Sequence, residues 1–119
     1  MSKYSNRKVV INGIKFDSVA EGEYYLIART FASKNGLEMR LQEKFELASK
    51  FKLLGKTYRA ISYIPDFTFY DNGELVKVVD VKGMQTKDFK LKAKLFCCKY
   101  QIPIYLAKKT RMGFVEEIF

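Results

Sequence analysis

Hydrophobic and polar positions change period repeatedly along the chain, and each change marks an element. Val9-Val10-Ile11 and Ile14-Lys15-Phe16 flank an Asn12-Gly13 pair. Asn-Gly between β-branched residues is the strongest short-range hairpin signal, so the chain opens on a small ribbon. Ser18-Val19-Ala20-Glu21 then fits a capping box, and Leu26, Ala28 and Phe31 run on toward Gly36, which predicts a helix over about residues 19–34. From Leu41 to Leu54 the apolar positions Phe45, Leu47, Phe51 and Leu53 alternate with polar or small ones, the period of half-buried strands, and Gly55-Lys56 reads as a turn. Tyr58 to Tyr70 is rich in aromatic and β-branched residues, Asp71-Asn72-Gly73 punctuates it, and Leu75 to Val81 reads as a strand buried on both faces. These two runs predict the central hairpin of the sheet, ended by Gly83. Thr86 is positioned to cap a second helix reaching about Tyr100, and Pro103 opens a last strand at Ile104-Tyr105-Leu106. Ribbon, helix, strands, helix, strand is the order of an α/β or α+β sheet flanked by helices.

At 119 residues the chain has room for one domain, and 48% hydrophobic content is enough to build its core, which excludes intrinsic disorder. No apolar run approaches the roughly 20 residues of a membrane span, and the first residues lack the apolar core of a secretory signal. A soluble, cytoplasmic protein is expected. Lys and Arg number 22 against 13 Asp and Glu, a net charge of +9. The excess is +6 over residues 1–60 and +3 over residues 61–119, so it belongs to the folded body and not to a tail. A polyanionic partner is expected, and nucleic acid is favoured over a membrane surface because the chain offers no lipidation motif.

Histidine is absent, and the two cysteines, Cys97 and Cys98, are neighbours in a lysine-rich helix. That removes histidine-dependent triads and metal sites, and adjacent cysteines can neither staple the fold nor complete a zinc tetrahedron. Catalysis would fall to carboxylates, lysines, tyrosines or an oxygen-bound metal. Asp66 begins one arm of the central hairpin and Asp80 and Lys82 end the other. A two-residue Asn72-Gly73 turn pairs positions whose numbers sum to 145, which puts Asp66 and Asp80 on opposite faces. A three-residue Asp71-Asn72-Gly73 loop pairs positions that sum to 144 and sets the two acids on one face as diagonal neighbours, about 7–8 Å apart at the backbone. The shared site therefore predicts the three-residue loop. Two aspartates with open positions suit magnesium, or manganese as a substitute, and Lys82 points to the same face as Asp80 by the strand period. The competing reading is a surface ion pair of Asp80 with Lys82, worth about 0–1 kcal/mol. Against it stands the double-sided burial predicted for Val78-Val79-Asp80-Val81, where an unpaired carboxylate is expensive. Glu21 has two open readings, a capping-box side chain turned back to Ser18 or an acid entering the metal site from the helix. Lys87, Lys90 and Lys94 share one helical face, which serves either as a solvated surface or as a track for DNA phosphates.

Glu21, then Ile64-Pro65-Asp66-Phe67, then Asp80-Val81-Lys82-Gly83 resembles the signature of the PD-(D/E)XK nuclease superfamily. Ser18-x-x-Glu21, Pro65-Asp66-Phe67, Asn72-Gly73 and Val81-Lys82-Gly83 are similar to the phage endonuclease I group of Holliday-junction resolvases. Phe16-Asp17-Ser18, Gln42, Phe45-Glu46-Leu47 and Asp80-Val81-Lys82-Gly83-Met84 look like the small phage proteins grouped as domain of unknown function 1064, and this likeness spans most of the chain. The resemblance implies a restriction-endonuclease-like mixed sheet of four or five strands with flanking helices. It also implies divalent-metal catalysis with roles for Glu21, Asp66, Asp80 and Lys82, and the Val81 carbonyl as a further metal ligand. The implied protein is a phage- or prophage-encoded homodimer acting on branched DNA in recombination or replication. The alternative is a non-catalytic DNA-binding or regulatory module that keeps the fold.

Overall fold

The computed structural model describes residues 7–82 and 85–119; Gly83 and Met84, used in the sequence reading, lie outside the described residues. The opening ribbon forms as the Asn-Gly signal requires, with β1 (Val9–Ile11) antiparallel to β2 (Ile14–Phe16) and both turn residues at positive φ. Helix α1 (Val19–Asn35) starts where the Ser18 hydroxyl accepts the Glu21 amide and stops where Gly36 turns left-handed at φ 65°. Helix α2 (Lys87–Tyr100) starts in the same way, Thr86 accepting the Phe89 amide.

A five-stranded mixed sheet lies between the helices. It combines β3 (Glu38–Leu41), β8 (Phe67–Asp71), β9 (Glu74–Val81), β10 (Ile104–Thr110) and β11 (Gly113–Ile118) in the order β11-β10-β9-β8-β3. The β9-α2-β10 unit makes the one parallel pairing of this sheet, and the rest is antiparallel. β9 is central and covered on both faces. Val79 packs with Phe16, Tyr24, Ala28 and Phe67 under α1, while Val78 packs with Phe45, Phe89, Phe96 and Ile104 under α2. The fold is thus the expected mixed α+β sheet with flanking helices and an N-terminal ribbon.

Between β3 and β8 the chain makes a long antiparallel excursion of β4 (Phe45–Ala48), β5 (Phe51–Leu53), β6 (Lys56–Tyr58) and β7 (Ile61–Tyr63). Its base packs on α2 through Phe45 and Tyr63, and its outer half, residues 51–60, is exposed and among the described residues pairs with no strand outside the excursion. The sequence reading assigned residues 58–63 to the central hairpin and the turn to Gly55-Lys56. Both are corrected: residues 58–63 return from the excursion, and Leu54-Gly55 make its turn, at φ 50° and 77°. The last strand continues past Leu106 to Thr110, and β11 was not anticipated, since its mostly exposed residues carry little periodic signal.

The expected three-residue loop is also corrected. Asp71 pairs with Glu74 across a two-residue Asn72-Gly73 turn, φ 52° and 84°, the arrangement that separates the acids. Between Phe69 and Tyr70, however, the pairing slips by one, from Tyr70 opposite Leu75 to Phe69 opposite Lys77, leaving Val76 as the extra residue of a β-bulge. Because side chains alternate with period two, one inserted residue reverses the facing of everything beyond it. Past the bulge, paired numbers sum to 146, which carries Asp66 opposite Asp80.

Candidate active site

Asp66 and Asp80 clasp each other through the backbone. The Asp66 amide donates to Asp80 Oδ1 at 2.8 Å, and the Val81 amide donates to Asp66 Oδ2 at 2.8 Å. The second Asp80 oxygen accepts the Tyr63 hydroxyl. Pro65 ends the preceding segment without an amide to satisfy, and Asp66 sits on a bend just before β8, at the end of the sheet where its two faces meet. Helix α1 delivers Glu21 to this edge in its first turn. Glu21 serves as a capped residue through its amide, while its carboxylate accepts from Gln42 Nε2 at 3.0 Å. The same Gln42 amide group donates to Asp66 Oδ1 at 3.2 Å, so one side chain clamps two acids. Gln42 is itself placed by a positive φ of 52° and by donating its own amide to the Asp66 carbonyl.

Three carboxyl groups therefore lie along one connected network with little water around them: Asp80 is 1% exposed and Glu21 7%. Burial, the Glu21 charge and a hydrogen bond with Glu21 push Asp66 up to about 6, against the opposing pull of the Val81 amide and Lys82. Burial and the Asp66 charge push Asp80 up to about 7, with the Tyr63 hydroxyl and Lys82 pulling the other way. Tyr63 is driven well above the ordinary tyrosine range by burial and by the Asp80 charge, so it stays a donor. Lys82 lies over the Phe89 ring with Nζ 4.8 Å from its centre, and its amide donates to the Ala107 carbonyl at 3.2 Å.

The network opens on both sides of the sheet edge. Glu21, Gln42 and Asp66 face a cavity of about 150 Å³ roofed by Lys15 and Asp17 of the ribbon, and Asp80 and Lys82 face a cleft of about 300 Å³ bordered by Thr86 and Lys92. Gly22 lets the ribbon close on α1. A Cβ there would meet Val9 Cγ2 at 2.8 Å and Ile11 Cδ1 at 3.0 Å. Lys87, Lys90 and Lys94 lie exposed along α2, and among the described residues none of them is in an ion pair.

Among the described residues no three acids, cysteines or histidines form a ready-made metal cage. The donor set nevertheless suits a hard cation: the carboxylate oxygens keep free lone pairs beside their single hydrogen bonds, and magnesium keeps several waters of its own. Val81 enters the site through its amide. Gln42 and Tyr63 are the residues that spacing did not single out as site members. Gln42 appears in the sequence only as part of a family resemblance, and Tyr63 only as one aromatic among many.

A family model described as "Protein of unknown function (DUF1064)" matches residues 1–111. No curated protein matches the chain. A solved structure described as "Crystal structure of SSO0001" is similar over 82% of this chain at 16% identity with a TM-score of 0.46, and the chain spans about half of it, 49%. Among the described residues no helix is long and apolar enough to cross a membrane.

Proposed function

The chain belongs to the DUF1064 family, and from its acidic cluster we propose that it is a divalent-metal-dependent endonuclease of the PD-(D/E)XK kind that hydrolyses phosphodiester bonds in branched DNA. It would act as a homodimer in phage recombination or replication. The observation that carries the reading is the convergence of Glu21, Asp66 and Asp80 at one sheet end with Lys82 beside them, produced by a bulge that reverses the facing set by the turn. Strained carboxylates gathered in a cleft are the usual mark of a working site.

Magnesium or manganese held by Glu21, Asp66, Asp80 and the Val81 carbonyl would neutralise charge at the phosphate and acidify the attacking water. The protein's own groups do the positioning. Gln42 holds the Glu21 and Asp66 carboxyls together against their repulsion, and the Val81 amide and Tyr63 hydroxyl orient Asp66 and Asp80. Lys82 brings a cation to the open side of Asp80, where it can donate to a phosphate oxygen or align the water. Lys87, Lys90 and Lys94 extend positive charge along α2 for the rest of the strand.

The test is incubation with a labelled four-way junction and a matched linear duplex in Mg²⁺ or Mn²⁺, alongside Asp80→Ala. Junction cleavage by the wild type and none by the variant is expected. Equal cleavage by both rejects the site. Binding that survives EDTA and loss of both aspartates, with no product under any metal, assigns a non-catalytic DNA-binding module instead.

A further inference from the structure

We propose that the outer hairpin of β5 and β6 is a DNA-binding arm. Its basic face follows the sugar-phosphate backbone, and its Leu54 tip enters the opening at a branch point. The branched substrate is taken from the nuclease reading; the arm itself rests on separate observations.

Among the described residues the chain makes three two-residue hairpin turns of the same left-handed conformation. Two are Asn-Gly, at φ 53° and 77° for Asn12-Gly13 and 52° and 84° for Asn72-Gly73. The third is Leu54-Gly55, at 50° and 77°. Leucine is poor at this position because its bulky Cβ substituent crowds the backbone at positive φ, and asparagine is the residue the protein uses elsewhere. Leu54 is also 99% exposed, so no packing inside the fold compensates. A residue unfavourable both locally and in water, in a chain that twice solves the same turn conventionally, points to a contact outside the fold.

The arm's charge identifies the partner. Between Glu46 and Asp66 there is no acid, while Lys50, Lys52, Lys56 and Arg59 are all present. Lys52 and Thr57 pair on one face of the ribbon and Phe51, Leu53, Lys56 and Tyr58 lie on the other, while Lys50 and Arg59 sit beside each other just below the paired strands. All of residues 51–60 are exposed. A second copy of so basic a ribbon would repel the first, whereas a polyanion matches it. The arm is also built to hold its shape without a neighbour. Phe51, Lys52 and Leu53 pair with Tyr58, Thr57 and Lys56 around the turn, and the Phe51 and Tyr58 rings stack at 4.7 Å with 3° between their planes. Apolar wedges enter DNA between base steps, and entry costs least where bases are already unstacked, as at a branch.

Leu54→Asn gives the arm the turn used elsewhere in the chain, so the variant should melt no lower than wild type. Binding is read by fluorescence anisotropy with a labelled four-way junction and a linear duplex of the same sequence, in Ca²⁺. Leu54→Asn should weaken junction binding about tenfold, the equivalent of one leucine side chain buried on binding, with a much smaller effect on duplex. The triple variant Lys50→Ala, Lys52→Ala, Arg59→Ala should weaken both and lower the salt slope by about 3. Wild-type junction affinity in Leu54→Asn, or an unchanged salt slope in the triple variant, overturns the arm. So does a dimer that dissociates on Leu54→Asn in sedimentation, which assigns the tip to a second copy. Failure of the two proposals is distinguishable. Wild type that binds through the arm but never cuts refutes the nuclease and leaves the arm, while wild type that cuts with arm variants binding normally does the reverse.

Discussion

Asparagine at position 80 should make the metal-free protein more stable at pH 8 than aspartate does. In Asp80→Asn the side-chain oxygen still accepts the Asp66 amide, and the new amide group donates toward the Tyr63 oxygen. What disappears is a carboxylate that is 1% exposed and faces the charge of Asp66. Its folded-state value lies near 7 against an ordinary 3.8, so ionising it inside the fold costs about 4 kcal/mol at pH 8. Losing the Tyr63 hydroxyl's charged acceptor returns about 2 kcal/mol of that. The net gain of about 2 kcal/mol corresponds to a rise of about 8 °C in Tm for a chain of this length. The sign follows from proton uptake: the folded wild type binds more protons than the unfolded chain from about pH 4 to 7, so its stability falls as pH rises through that window. Asparagine has no proton to lose, so the advantage should vanish or reverse at pH 5. Thermal melts by circular dichroism at pH 5 and pH 8 read both values, and added Mn²⁺ should raise the wild-type Tm at pH 8 without raising that of the variant. A variant less stable than wild type at pH 8, or a difference independent of pH, would show that Asp80 is not strained by burial and charge.

Gln42→Leu should release the clamp on Glu21 and Asp66 and cost about 1 kcal/mol at pH 8 but less at pH 5, measured by urea unfolding at both values. Gly22→Val should push the ribbon off α1 and cost about 2 kcal/mol, and hydrogen exchange at residues 9–16 should rise more than in the five-stranded sheet. The triple variant Lys87→Ala, Lys90→Ala, Lys94→Ala should lower the salt slope of DNA binding by about 3 with little change in Tm; an unchanged slope would leave that face solvated and unrelated to DNA.

By itself the sequence determined the features whose causes lie within a few residues. Asn12-Gly13 and Asn72-Gly73 make the turns their side chains favour, Ser18 and Thr86 cap the helices they precede, and Gly36 ends α1. The double-sided apolar run Val78-Val79 placed β9 inside a sheet, Asp80 stood out because charge in such surroundings needs a reason, Asp66 stood out by its place on the partner strand, and Glu21 kept two readings until the family resemblance. Tertiary structure alone decided how those acids face. The local turn at Asn72-Gly73 taken to its end sends Asp66 and Asp80 apart, and the bulge at Val76, which sets Val79 toward α1 and Val78 toward α2, brings them together again. A bulge is a compromise between turn geometry and burial on both faces of a sheet, and no short window of residues contains both sides of that compromise. The same holds for Gln42, which reaches Glu21 and Asp66 only because β3 pairs with β8, and for the arm, whose outer half forms a two-stranded sheet of its own apart from the central one.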